Sequence, residues 1–525
     1  MCFNFLVFLL HSNIKIENMK NILLILTLIL VFPSFNFSQL DPRLADDLFK
    51  ITNYTEAIPL YKRLLKVDSK NQKYLFNLGM CYLNTETDKA KAIYYFEKSL
   101  KLKKFDKETY YYLAEAYTHR YEYDKSISAL KEYKKNPGKF VGEINAKIFG
   151  YELAQNLYDN PIPVTFENLG ENINSSYPDY FPFVSKDEKI LVFTTRRKEG
   201  KGRKEFDGYY PSDIFMTKFN GFNFSAAKPI KALNTSFDDQ CVSLSEDGSH
   251  MFIYYDNIEN AGDIYESVKT GSTYGRKKKI KEGVNTASVE TAASLSSDGK
   301  TLFFASNKKG GAGGLDLFMT RKLPNGEWAE SQPIESLNTE KNEDFPYLSP
   351  DGKTLYFASN GYPGLGGYDV YKSDWNEKTN KWKSPKNLGY PLNTSYDDRV
   401  IMFSDDHKHA YLTAVRPGGY GDRDIYRVTL EKVEKKPALF VLSLKDGVSS
   451  TKIKNGLIII FDKKDEIIGE YKSNPNSGTF TVILEPGTYS IEIESKGYKL
   501  GTETLKVSEF DSDKGMNMKT FTLSK

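Results

Sequence analysis

The chain reads as multidomain: an all-α repeat solenoid, an all-β five-bladed propeller and a small all-β sandwich, and three observations predict this order. Residues 40–158 carry apolar positions at helical spacing, with echoes 34 to 35 residues apart. Residues 161–432 switch to short aromatic and β-branched runs that return in five copies. Residues 437–525 hold further strand-length runs separated by turn residues.

The β repeat is clearest in "SPDGKTLYFASNGYPGLGGYDVYKS", Ser349 to Ser373. Ser-Pro-Asp-Gly supplies a tight hairpin turn, Thr354 to Ala358 alternates as a strand, and "YDVYKS" follows a glycine-rich loop as another. The turn recurs as "SKDE", "SEDG", "SSDG" and a degraded "SDDH" at Ser185, Ser245, Ser296 and Ser404, in steps of 60, 51, 53 and 55 residues across the series. The later strand recurs as "DIF", "DIY", "DLF", "DVY" and "DIY" from Asp213, Asp263, Asp316, Asp369 and Asp424. Eleven residues before each serine stands an asparagine: Asn174, Asn234, Asn285, Asn338 and Asn393. A fourth strand between units, such as "KWKSPKNLG" ending at Gly389, completes the arithmetic of a propeller blade. The last unit ends near Leu430 without a fourth strand, while Phe166 to Gly170 resembles Lys386 to Gly389. The strand near residue 166 is therefore expected to complete the fifth blade and remove exposed edges. The pattern resembles the TolB-type, WD40-like propeller repeat of bacterial envelope proteins over Pro161 to Leu430.

Ahead of these repeats, Met19-Lys20 and the apolar run Ile22 to Val31 have the form of a secretory signal, too short for a comfortable membrane span. Residues 1–38 are read as that signal, with the true start at Met19 and cleavage near Ser38; a retained anchor is the alternative. Cys2, Cys81 and Cys241 show no pairing pattern, and no cysteine follows the apolar run to carry a lipid. With 72 basic and 69 acidic residues the charge is too balanced to imply nucleic acid as a partner.

In the helical part, Leu75, Leu78, Gly79 and Tyr82 precede Ala92 and Phe96; Leu113, Ala114 and Tyr117 precede Ser126 and Leu130; Ala57 and Tyr61 form an earlier partial copy. This resembles the tetratricopeptide repeat, with three repeats and a closing helix near 142–158. Such arrays present a groove for peptides or helices, the alternative being a spacer that only packs on the propeller. At the other end, "GLIIIFD", "GTFTVIL", "GTYSIEIESKGY", "ETLKVSEF" and "MKTFTLSK" predict a small antiparallel sandwich. Its Gly478 to Tyr498 segment resembles the carboxypeptidase regulatory-like domain, and it holds no histidine for a peptidase zinc.

No catalytic set is expected. A hydrolase with such a propeller needs a G-x-S-x-G elbow, which is absent, and the sparse histidines, including His407 and His409, predict no metal site. The glycine runs "KKGGAGG" and "GYPGLGG" join strand to strand without the helix a phosphate loop needs, so no cofactor is expected. One constellation stands out: five residues after each blade asparagine lies an acid, Asp179, Asp239, Glu290, Glu343 or Asp398. These form a carboxylate ring at one channel mouth, for a cation or amine, or each caps its own turn. A longer loop in the first unit carries Arg196, Arg197, Lys198, Lys201, Arg203 and Lys204, an interaction loop or a solvated one.

The domain order resembles PorE-type proteins of the type IX secretion apparatus of Bacteroidota, which continue into an OmpA-like peptidoglycan-binding domain. The sequence ends at Lys525 before such a domain, so peptidoglycan binding is not expected. The resemblance implies a periplasmic, non-enzymatic adaptor for outer-membrane or secretion-apparatus proteins, serving secretion or gliding. The alternatives are a secreted or cell-surface protein whose sandwich is a sorting signal, and, more remotely, a propeller for a small ligand.

Overall fold

The computed structural model describes residues 41–86, 88–221, 223–257, 260–281, 283–404, 408–430, 437–507, 511 and 516–525. The expected signal segment and His407 lie outside the described residues. The chain divides into two compact units, Met1–Glu431 and Lys432–Lys525.

The first unit opens with helices α1 (Pro42–Lys50), α2 (Tyr54–Val67), α3 (Gln72–Leu83), α4 (Lys91–Leu100), α5 (Glu108–Thr118), α6 (Tyr123–Lys135) and α7 (Ile144–Asp159). Their starts are written locally. Asp41, Asn53 and Asn71 each accept a free backbone N–H of the first turn, from Arg43, Glu56 and Tyr74 at 2.8, 3.2 and 3.2 Å. Helices pair in sequence, and the small residues noted above sit at the crossings: a Cβ on Gly79 would collide with the buried Phe96 ring of α4. Ala57, Tyr61, Leu78, Ala92, Phe96 and Leu113 share one apolar core.

Among the described residues, the rest of this unit forms five antiparallel sheets. In chain order their first strands are Asp179–Val184, Asp239–Leu244, Glu290–Leu295, Glu343–Leu348 and Ile401–Phe403. Each pairs with the next strand along the chain, and that one with a third beginning at Asp213, Asn260, Asp316, Asp369 or Asp424. Short fourth strands such as Lys228–Pro229 of the first sheet and Gln332–Pro333 of the third finish the earlier sheets, whereas the fifth sheet is finished by Val164–Asn168, paired antiparallel to Leu430–Tyr426. The edge that sequence order leaves open is thus closed by a strand from the start of the β region.

The recurring turn has one chemistry. Ser185, Ser245, Ser296 and Ser349 each donate to the aspartate two residues on at 2.6–2.7 Å. Each also accepts the N–H five residues on at 2.9–3.0 Å, which starts the second strand. The turn's fourth residue is left-handed: Gly248, Gly299 and Gly352 lie at φ 65, 69 and 70°, and Glu188 takes the same φ of 54° where the motif lacks its glycine.

Among its described residues, the second unit forms two four-stranded sheets around a common core of Leu442, Leu444, Ile458, Ile460, Phe480, Val482 and Ile493. One correction applies: the pairing is not wholly antiparallel, because Asn517–Leu523 runs parallel to Ala438–Asp446 in register Phe440↔Asn517 to Asp446↔Leu523. Ala438–Asp446 itself follows a proline and a charged stretch, and its central position comes from its partners on both sides, which hairpin turns do not reveal.

Candidate functional site

The five ring acids do not open onto a mouth. Asp179, Asp239, Glu290 and Glu343 are 0% exposed and Asp398 is 6% exposed. Each turns back onto the residue four before it, accepting both its N–H and its hydroxyl. For Asp179 the donors are Ser175 N and Oγ at 2.6 and 2.8 Å, and for Glu343 they are Thr339 N and Oγ1 at 2.7 and 2.8 Å. Thr235, Thr286 and Thr394 do the same for Asp239, Glu290 and Asp398. The preceding asparagine clamps the third strand of the sheet before: Asn393 takes the Val370 N–H and donates to the Val370 carbonyl, both at 2.8 Å. Asn174, Asn234, Asn285 and Asn338 repeat that two-way bond on Ile425, Ile214, Ile264 and Leu317. The repeated Asn, Ser/Thr and acid are therefore a splice between sheets. The signal was present in the sequence as an Asn-Ser/Thr doublet in every copy.

Burial raises the carboxyl pKa at all five positions, most at Asp398. In the first two sheets a cation answers the charge: Arg197 pairs with Asp179, and Lys277 with Asp239. Burial in turn pulls the Lys277 ammonium down, against the pull of Asp239. Third-strand aspartates are held by the glycine loops. Ala312 and Gly313 donate N–H groups to Asp316 at 3.0 and 3.1 Å, and Leu365 and Gly366 to Asp369 at 2.6 and 3.0 Å. Side chains at Gly311, Gly313, Gly364 and Gly366 would strike these carboxylates or neighbouring carbonyls. The loops enclose the chain's own anions.

The long first loop is also divided. Arg196 is tied to Asp207 and Glu205 at 2.6 and 2.7 Å, Arg197 is buried on Asp179, and Lys201 donates its ammonium to the Asn234 carbonyl at 2.7 Å. Lys198, Arg203 and Lys204 are exposed and remain as the loop's outward cations.

Further links between neighbouring sheets come from residues one position after the ring acids, where along a strand the side chain faces the opposite way. Thr291 donates to Asp344 at 2.6 Å, Arg399 reaches Asp344 at 3.5 Å and lies 3.8 Å over the Tyr368 ring, and Gln240 donates to Ser212 at 3.4 Å. Phe181 and Phe345, both left-handed at φ 52 and 47° and both at bulges, bring rings of the first and fourth sheets to 4.4 Å. Beside Phe345, a cavity lined also by Phe183, Val242, Tyr347 and Arg399 measures about 10 Å³, room for about one water. Sequence reasoning missed these residues because one position along a strand reverses the face, and the bulges shift it again.

It also missed how the helices meet the sheets. Tyr121, Tyr158 and Tyr390 form a triad with ring centroids 4.6, 4.8 and 5.2 Å apart, joined by buried Tyr123, Ala154 and Leu365. At the rim of this seam His119 Nδ1 lies 3.1 Å from Ser395 Oγ, and Arg423 pairs with Glu86 at 2.9 Å. Burial pulls the His119 pKa down to about 3, so the ring is neutral there.

Residues 43–107 match the tetratricopeptide repeat. No curated protein matches the chain at a significant level. Among solved structures, TolB from Acinetobacter baumannii is 16% identical, with a TM-score of 0.31 over 49% of this chain and 55% of its own. This chain thus spans about half the length of that protein. The periplasmic gluconolactonase PpgL of Pseudomonas aeruginosa is 15% identical, with a TM-score of 0.28 over 62% and 87% of the two chains. A thermostable family-43 glycoside hydrolase is 11% identical, with a TM-score of 0.33 over 49% and 91%. At these scores the likenesses carry no argument.

Proposed function

We propose that this chain is a non-enzymatic scaffold of the bacterial envelope, exported by its leading segment to the periplasm and joining protein partners in an outer-membrane-associated assembly. In this reading the five sheets are the blades of a closed propeller and the C-terminal unit is a regulatory-type sandwich. Type IX secretion and gliding are the assemblies that the domain order suggests. The observation that carries the reading is the tyrosine seam: a tetratricopeptide array, a fold that generally serves protein–protein contact, is locked to a second repeat scaffold in one body. Two surfaces held at fixed geometry are what a bridging protein needs, since preorganisation lowers the entropy cost of binding both partners.

The test is fractionation and cross-linking of the tagged full chain in its own cells. The scaffold should be recovered with periplasmic and outer-membrane fractions and retrieve outer-membrane proteins. Recovery in the cytosol or the culture medium, or retrieval of no envelope protein, overturns the proposal.

A further inference from the structure

The α3–α4 and α5–α6 turns carry the helical array's contacts at the seam: Glu86 with Arg423, His119 with Ser395 and Tyr121 with Tyr390. Consecutive helices run up and down, so the α2–α3, α4–α5 and α6–α7 turns stand at the other end, about 15–20 Å away by helix length. Lys107 of the second of these turns donates to the Pro137 carbonyl of the third at 2.8 Å. The two ends differ in charge. Residues 50–56, 83–91 and 118–125, at the seam end, hold five basic and five acidic side chains. Residues 62–73, 97–108 and 131–143, at the far end, hold fourteen basic and six acidic ones.

Helix electrostatics explains part of this surplus. Lys66, Lys98, Lys134 and Lys135 sit in last helical turns, where the macrodipole favours a cation. It does not explain Lys70, Lys103, Lys104 and Lys139, which lie past the helix ends, nor Lys107 at the N-cap of α5, where a cation is unfavourable. Folding also leaves the cations unused: Lys66, Lys70, Lys101, Lys103, Lys104 and Lys139 are exposed, and none forms an ion pair among the described residues. Beside them each turn holds one apolar side chain out in water, Val67 at 76%, Phe105 at 39% and Val141 at 50% exposure.

We propose that this end of the array rests on an anionic phospholipid surface, with the lysines among the headgroups and Val67, Phe105 and Val141 reaching the acyl boundary. Two features select lipid over an acidic protein. Thirteen of the fourteen cations are lysines, with Arg63 the exception. Lysine is a point charge suited to a diffuse anionic field, whereas paired recognition of carboxylates favours the arginine fork. The apolar residues, moreover, stand singly on three turns, which suits shallow insertion between headgroups. This lipid surface is additional to the protein partners proposed above, and its test is separate from theirs.

The experiment is co-sedimentation of the full chain with phosphatidylcholine vesicles, with and without about one-third phosphatidylglycerol, at about 0.1 M salt. The apolar run Ile22 to Val31 would bind both vesicles alike, so the readout is the difference between them. Partition should be at least about tenfold stronger onto the anionic vesicles and should fall severalfold at about 0.5 M salt. Neutralising one turn, by Lys101→Gln, Lys103→Gln and Lys104→Gln together, should remove at least about tenfold, at roughly fivefold per lysine. Arginine at the same three positions should keep the binding, and Phe105→Ser should weaken it severalfold. The same charge change on the fourth sheet, Lys378→Gln, Lys381→Gln and Lys386→Gln, should leave it unaltered. All these positions are exposed, so the variants should fold, which circular dichroism checks. Equal partition onto neutral vesicles, no loss on neutralising the turn, or an equal loss from the fourth-sheet control overturns the proposal. So does capture of an acidic protein through Lys101, Lys103 and Lys104 by a chain that ignores both vesicles, since the face then belongs to that protein. Retrieval of envelope proteins without charge-dependent vesicle binding removes this inference and leaves the scaffold reading standing.

Discussion

Substituting Asn168 by alanine tests the closure of the fifth sheet through one side chain. Asn168 donates to Asp424 at 2.8 Å and accepts the Gly170 N–H at 2.9 Å and the Asn174 amide at 2.8 Å. Asn387 makes the same three bonds in the fourth sheet, to Asp369 at 2.7 Å and from Gly389 and Asn393 at 2.8 Å each. There, however, donor and acceptor are neighbours in one repeat, whereas Asn168 and Asp424 are 256 residues apart. Removing three bonds, one of them to a buried carboxylate, costs about 3 kcal/mol, because the Gly170 N–H loses its Asn168 acceptor while Asn174 and Asp424 keep other partners. That is a large share of the roughly 5–15 kcal/mol by which a folded domain is usually stable. The assay is chemical unfolding followed by tryptophan fluorescence. All three tryptophans, Trp328, Trp375 and Trp382, lie in the β region, so the signal reports these sheets and not the helices. Asn168→Ala and Asn387→Ala should lower the midpoint by similar amounts. If only Asn387→Ala does so, the Val164–Asn168 strand does not close the sheet in solution, and the reasoning is refuted.

The remaining predictions concern the buried acids and the seam. Glu290→Gln and Glu343→Gln should each lose about 1–2 kcal/mol, since an amide cannot take every N–H and hydroxyl that the carboxylate accepts; unchanged melting with weakened partner binding would instead restore the acids as a recognition ring. Burial holds Asp213 up at about 7 against an ordinary 3.8, with one oxygen accepting the Lys201 N–H and the other unpartnered. The folded state then keeps a proton that the unfolded chain releases. This contribution is therefore whole below the ordinary value and is lost as pH rises through about 7. Asp213→Asn should relieve up to about 4 kcal/mol of that loss, so the variant's advantage in denaturation midpoint should widen from about pH 5 to about pH 8; an advantage constant with pH would contradict the assignment. Tyr390→Ala should open the seam and cost about 2–3 kcal/mol. Calorimetry should then resolve the helices and the sheets as separate transitions, and a single unchanged transition would show that the tyrosine triad does not couple them.

Where one chemical group recurs at one spacing, the sequence was sufficient. The hairpin turns from Ser185 to Ser349, the paired helices with Gly79 under Phe96, and the return of Phe166 to the end of the β region all follow from local chemistry repeated in register, because repetition averages out the ambiguity of any single copy. The same repetition marked Asp179, Asp239, Glu290, Glu343 and Asp398 as special without saying what they serve. Only the fold showed that these carboxylates accept their own turns' N–H groups and that further links between sheets fall on Thr291, Asp344 and Arg399 beside them. The reason is geometric: consecutive strand residues face opposite ways, and bulges such as those at Phe181 and Phe345 leave no mark on the period. Contacts between elements of different period were likewise beyond local pattern. Tyr158 belongs to a helix, Tyr121 to the turn between two helices and Tyr390 to a strand connection, and nothing in either repeat refers to the other. That seam exists because burying three aromatic rings together is favourable once chain closure has brought them near, and such proximity is decided by tertiary structure alone.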